Sequence, residues 1–261
     1  MAKVALYDAN CCVGRSAKRP PWEPTGAQEL LAEMDRCGVE WAVVHHVTAR
    51  EHHPNIGNLA LMHELAGQER LVPCWVVLPG HTEEMPPTVP EWRYGPEVAH
   101  HRPVSWLMGR GLRCVRLYPK AHGYTLTPSV CAELFTELEH HRVSCFIDKD
   151  QIGWMELDTI CGEYNRIPVI LSNTGYRVSR DLYAMLKRHR NLFMEISRYE
   201  VHNGIEDICE RFGARRLLFG SGYPKYSPGC AITMLACARI SDHDKELIAN
   251  GNLRRFLEEV M

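Results

Sequence analysis

The sequence predicts an α/β fold, a (β/α)8 TIM barrel in a single domain over residues 1–261, and three observations carry that expectation. Short apolar runs recur eight times, separated by segments of helical period. Eight β-then-α units in a chain of 261 residues match the length and rhythm of such a barrel. The first run is not followed by the G-x-G-x-x-G turn that opens a dinucleotide-binding open sheet, and no break in composition marks a second domain.

Taken in order, the expected strands are Val4–Tyr7, Trp41–His45, Leu71–Leu78, Arg113–Tyr118, Ser144–Ile147, Pro168–Leu171, Leu192–Ile196 and Arg216–Phe219. Each is short and rich in β-branched or aromatic residues. Helices are expected over Ala27–Cys37, Asn58–Glu69, Ser129–His141, Met155–Tyr164, Ser179–Arg188 and Ile205–Phe212. Thr25 and Thr127 precede helical patterns as N-caps, and Pro128 suits a first turn. Gly38 and Gly213 stand where helices stop. The irregular stretch Gly80–Arg110, with Pro86, Pro87, Pro90, Pro96 and Pro103, reads as a proline-rich insertion after the third strand, a lid or an interface rather than slack chain.

Composition excludes several classes of partner. A net charge of −2 offers no basic surface for nucleic acid. No apolar stretch reaches 18 residues, so no membrane span is expected. The start MAKVALYDAN runs directly into a strand and lacks a signal-peptide layout, which makes a cytoplasmic location the expectation. Eleven cysteines form no C-x-x-C pair, and Cys74, Cys114 and Cys145 lie inside apolar runs, as buried free thiols do. The expected partner is a small-molecule substrate, and a homo-oligomer is compatible with the chain.

In such barrels the chemistry sits at the carboxyl ends of the strands. These ends offer Asp8 and Asn10, His45 and His46, His122 beyond Arg116, Asp148 with Lys149 and Asp150, Asn173 with Arg177 further on, Glu195, and Ser221 with Tyr223. Asp8 and Asn10 alternate along the chain, so both are expected to face inward. An inward Arg116 needs a carboxylate, from Glu195 or from a substrate. His122 suits a general base near neutral pH, and Asp148 at its strand end suits proton transfer. Arg177 and Tyr223 are candidates to orient an anionic substrate. The histidine-dense run His45, His46, His52, His53 invites a metal reading, but adjacent histidines on a strand face opposite ways, so at most one of the first two enters the mouth.

Several motifs together resemble one family. "ARRLLFGSGYP" with the later "ELIANGNLRRFL" resembles the C-terminal end of the amidohydrolase-related family of metal-dependent hydrolases. "ERLVPCWVVLPG", "GLRCVRLYPKAHGYTL" and "RNLFMEISRY" resemble its third, fourth and seventh strands, in the right order. The resemblance implies a barrel that hydrolyses cyclic amides, esters or lactones, or decarboxylates aromatic or related acids. It also implies a divalent metal, often zinc, held by H-x-H after strand one and by histidines after strands five and six, with an aspartate after strand eight. This sequence has Asp8-Ala9-Asn10 at the first place, Asp148 and Asn173 at the next two, and Gly222 at the last. Asp8, Asn10 and Asp148 still supply oxygens, which suit a hard divalent cation better than zinc.

The expectation is therefore a divergent hydrolase, or a decarboxylase, acting on a small polar or carboxylated molecule. Asp148 or His122 transfers the proton, and Asp8, Asn10, Arg116, Asn173, Arg177 and Tyr223 bind substrate. The alternative is a non-catalytic barrel that binds a metabolite or a partner subunit.

Overall fold

A computed structural model describes residues 4–16, 24, 26–79, 107, 108 and 111–260. Eight parallel strands follow one another around a barrel: β1 Leu6–Val13, β2 Val39–His46, β3 Leu71–Val76, β4 Cys114–Leu117, β5 Ser144–Asp148, β6 Val169–Ser172, β7 Leu192–Glu195 and β8 Leu217–Leu218. Helices alternate with them, among them α1 Ala27–Cys37, α2 Val47–Glu51, α3 Pro54–Glu64, α4 Pro128–His140, α5 Trp154–Glu163, α6 Ser179–Arg188 and α7 Gly204–Phe212. The proline-rich insertion lies outside the described residues except for Leu107 and Met108, and so does Thr25. No helix among the described residues is long and apolar enough to cross a membrane.

Three elements depart from expectation in ways that bear on the site. The first strand runs on to Val13, so Asp8, Asn10 and the Cys11-Cys12 pair lie within it rather than beyond it. Polar residues are tolerated there because each finds a buried partner. Between Asp8, opposite Ala42, and Cys11, opposite Val44, β1 carries one residue more than β2. This bulge interrupts the alternation of faces. Ala9 packs in the inner core, whereas Cys11 and Val13 pack against the helices. Asn10 is thereby brought inward while Asp8 is not, which corrects the expectation that both face the same side.

The second departure is β8, ordered as a strand over two residues only. Closure against β1 continues through single bonds: Ala9 N–H to the Phe219 carbonyl (2.9 Å), Gly222 N–H to that of Asn10 (2.9 Å) and Cys12 N–H to that of Tyr223 (3.0 Å). The third is the helical region after β2, which is two helices ending at Glu64 rather than one over Asn58–Glu69. His46 and His53 cap them, each accepting through Nδ1 the N–H two residues on, Thr48 at 3.1 Å and Asn55 at 3.2 Å. Two of the clustered histidines thus satisfy orphan helix donors.

The core has two layers. Outside the barrel, helix residues such as Leu30, Leu134, Leu157, Leu182 and Ile208 bury against the outer faces of the strands. Inside, Ala9, Val43, Cys74, Cys114, Phe146, Ile170, Phe193 and Leu218 fill the lower barrel. Burying a side chain of Val, Leu, Ile or Phe size contributes about 1.5–3 kcal/mol. The helix Asn252–Glu258 closes the bottom with Leu253 and Phe256, whose ring meets Phe193 edge-on at 4.6 Å between centroids. Asn252 Nδ2 donates to the carbonyls of Ala214 (2.9 Å) and Leu217 (2.8 Å), which ties the C-terminal motif to the entry of β8.

Candidate active site

Two residues above the apolar layer, the inward positions turn polar. Cys114 is followed at that spacing by Arg116, Phe146 by Asp148, Ile170 by Ser172 and Phe193 by Glu195, while Leu218 is followed by Gly220, which has no side chain. Period two on a strand puts each pair on the same face. A charged ring therefore crowns a greasy floor.

Arg116 is its hub. One terminal nitrogen, Nη1, donates to Asp148 Oδ1 at 2.9 Å, and Nη2 donates to Asn10 Oδ1 at 3.1 Å and Ser172 Oγ at 3.3 Å. The guanidinium lies over the Phe146 ring, 5.5 Å from its centroid. Both side chains of the ion pair are buried, Arg116 at 1% and Asp148 at 3% exposure. A fixed fork of donors is what allows one arginine to hold three strand ends at once.

Glu195 anchors the opposite side. Its Oε1 accepts from Asn173 N–H (2.7 Å), Ser197 Oγ (2.9 Å) and Asn10 Nδ2 (3.2 Å), and Oε2 accepts Ser197 N–H (2.6 Å). Burial pushes its carboxyl above the ordinary range, opposed by those N–H and O–H donors and by the charge of Arg116. A Cβ on Gly220 would stand 2.6 Å from Glu195 Oε2, so the absence of a side chain there makes room for the carboxylate. Asn173 adopts a left-handed φ of +54°, tolerable for asparagine, and its Nδ2 reaches Asp148 Oδ1 at 3.2 Å. Asn10 and Asn173 thus connect the two buried acids.

Above the ring stands Arg50, just after β2. It contacts Asp148 Oδ2 at 3.4 Å and Asp150 Oδ2 at 3.3 Å, both long, and lies over the Tyr118 ring at 5.2 Å. Its side chain is 36% exposed, so it is the charged group that joins this network to the mouth. His45 lies inward and packs near Tyr118; burial, then the charges of Arg116 and Arg50, hold it well below the usual histidine range. On the other side of Tyr118, His122 packs edge-on, its Nε2 bonded to the Ala49 carbonyl at 3.0 Å. Burial lowers its pKa as well.

A family model described as amidohydrolase matches residues 93–258, more than half of the chain. The chain belongs to the amidohydrolase family. Among solved structures, the fold of this chain is similar to that of 5-carboxyvanillate decarboxylase from Sphingomonas paucimobilis (14% identity, TM-score 0.73, covering 99% of this chain and 100% of that one). It is similar to 2,6-dihydroxybenzoate decarboxylase from Rhizobium (13%, TM-score 0.72, 97% and 98%). A third similar structure is a probable 2-pyrone-4,6-dicarboxylic acid hydrolase from Acinetobacter baumannii with citric acid bound (15%, TM-score 0.67, 97% and 99%). At such identities the likeness establishes the shared barrel. No curated protein sequence matches significantly.

Within the barrel of this family member, the oxygens expected to serve a cation are already engaged. Asp8 Oδ1 accepts the N–H groups of Asn10 and Ser221, both at 2.9 Å, between β1 and β8. Its carboxyl is pushed up by burial, against a hydrogen bond from the Ser221 hydroxyl and those two N–H groups. Asn10 Oδ1 accepts from Arg116, and Asp148 meets Arg116, Asn173 and Arg50. Among the described residues no group of three or more His, Cys, Asp or Glu is placed to hold a metal ion. This donor set does not fit a divalent cation. At the end of β8, Gly222 has φ +72°, and a Cβ there would lie 2.8 Å from the Tyr226 ring. The position expected to carry an aspartate has no room for one without movement of that ring.

Of the residues predicted from sequence, Asn10, Arg116, Asp148 and Asn173 meet in one network. Asp8 is buried next to it but bonds only along β1 and to β8. Tyr223 packs into the core between barrel and helices, and Arg177 is exposed beside Tyr176, so neither joins the ring. His122 stands on the far side of Tyr118. The carboxylate that meets Arg116 is Asp148; Glu195 is reached through Asn10. Glu195, Ser197, Ser172 and Arg50 were not singled out as site residues. The signal for Glu195 was an acid inside the apolar run LFMEI, where a buried charge demands partners. Arg50 had no such signal, since an arginine a few residues past a strand is ordinary, and here it lies in the short helix α2.

Proposed function

We propose that this amidohydrolase-family protein is an enzyme acting on a small carboxylated molecule at the mouth of the barrel, hydrolytically, with Asp148 as general base. The observation that carries the reading is the long ion pair of Arg50 with Asp148 Oδ2, at 3.4 Å. Arg50 is 36% exposed and both its ion pairs are long, so a substrate carboxylate competes well for its fork. When Arg50 turns to the substrate, Asp148 Oδ2 is uncovered. Arg116 behind it holds Oδ1 at 2.9 Å, so Oδ2 is the oxygen left to accept a proton from water. That favours hydrolysis over decarboxylation. The three structures named above, two decarboxylases of carboxylated aromatic compounds and a probable pyrone-dicarboxylic acid hydrolase, favour the same substrate class. His122, bonded to the Ala49 carbonyl near Arg50, is the second proton carrier.

The test is a panel of carboxylated lactones, cyclic esters and aromatic acids followed by absorbance and by carbon dioxide release. With a turned-over compound, Asp148→Asn is expected to lower kcat by about 10²–10⁴-fold, Arg50→Met to raise KM chiefly, and His122→Ala to have the smaller effect. Turnover that survives Asp148→Asn refutes the assignment of the base. Thermal stabilisation by panel members without turnover points instead to a barrel that only binds.

A further inference from the structure

We propose that the Arg116 guanidinium is a built-in cation, seated where the family resemblance places a divalent metal, and that this barrel holds its strand ends together without one. The guanidinium touches residues from three strand ends, Asn10 on β1, Asp148 on β5 and Ser172 on β6, at 2.9–3.3 Å. The first two are positions where the resemblance expects metal ligands, and the third expected position, Asn173, turns its amide to Asp148 at 3.2 Å. The cation is covalently supplied, buried and permanently charged. A second cation at the same oxygens would displace it or sit against it.

An independent observation comes from the opposite side of the barrel. Gly222 takes a left-handed φ, and Tyr226 fills the space in which a side chain would begin. The last acid that a metal cluster would use is therefore absent for a conformational reason, unrelated to Arg116. The chemical consequence is definite. A guanidinium donates hydrogen bonds and fixes a carboxylate, but it has no open coordination position for water. Arg116 holds Asp148 Oδ1 at 2.9 Å and so orients that carboxylate; Arg116 is thus a positioning residue. This inference concerns the cation seat and stands whatever the substrate is.

The test uses the full chain. Wild-type protein dialysed against a chelator is expected to keep its melting temperature, and titration with Zn²⁺ or Mn²⁺ is expected to show no one-to-one binding that Asp148→Asn abolishes. Arg116→Ala is expected to melt lower, and millimolar guanidinium to raise its melting temperature while leaving wild type unchanged; potassium is the control. Arg116→Lys, which keeps the charge without the fork, should fall between. Stoichiometric metal in wild type that is lost in Asp148→Asn overturns the proposal, and so does an Arg116→Ala protein indifferent to guanidinium. If Arg116→Ala does not fold, the wild-type chelation and titration decide alone.

Discussion

The two layers inside the barrel share strands, faces and burial, and differ in chemistry. Phe146 and Asp148 point inward from the same strand and are both buried, as are Ile170 and Ser172, and Phe193 and Glu195. The lower layer packs by volume and needs no particular partner. A buried polar group without a hydrogen bond is costly, and in the upper layer Arg116, Asp148, Ser172 and Glu195 each bond an atom from another strand end, although the Arg116 Nε has no partner. A layer that tolerates substitution by size is thus separated by one pleat from a layer that tolerates it hardly at all. The step between them is where packing gives way to chemistry.

Substitutions can sharpen that contrast. Of the substitutions that leave the polar network intact, the largest effect on stability is expected in the lower layer: Ile170→Ala, at a fully buried position, should lose about 2–5 kcal/mol in chemical denaturation. Turnover or ligand response per folded molecule should change little, and a large loss there would erase the distinction between layers. Gly220→Ala is expected to cost less, about 1–3 kcal/mol, yet to damage function more, since its methyl would press on Glu195. Wild-type activity in a folded Gly220→Ala protein would show that Glu195 has no part in the site.

The smallest expected effect is a slope with pH. His45 is held well below the usual histidine range in the folded chain, whereas unfolded histidine titrates near about 6.5. Below that pH the unfolded chain binds more protons, so stability falls on acidification through about 6.5. Thermal melts between pH 7 and 5 should decline, and decline less steeply in His45→Gln. Equal slopes would assign the fall to His46, His53 and His122, which burial lowers too.

Much of the scaffold was legible along the chain. Strand order and count follow from eight apolar runs, and the inward face of β4 to β7 follows from alternation. Asp148 and Arg116 stood out as charges at the inward ends of such runs. The end of β1 was not legible, because the bulge at Ala9-Asn10 is imposed by pairing with β2 and β8 rather than by those residues themselves. His46 and His53 looked like metal candidates, and only their bonds to Thr48 and Asn55 mark them as caps. Tyr223 follows the eighth strand as a substrate residue would, yet its backbone is pinned to β1 and its ring turns into the outer core.

By itself the sequence determined the barrel, the family to which it belongs and the end of the barrel that bears the polar groups. Periodicity and short motifs are properties of neighbouring residues, and they survive in a one-dimensional reading. Tertiary structure alone decided which polar groups meet: Asn10 bonds Glu195 across 185 residues of chain, and Arg116 bonds Asn10 across 106. It also decided that a guanidinium stands among the oxygens that a metal would have sought. Such choices are set by the closing of the sheet, which brings the first and last strands together and leaves every buried charge to find its partner in space.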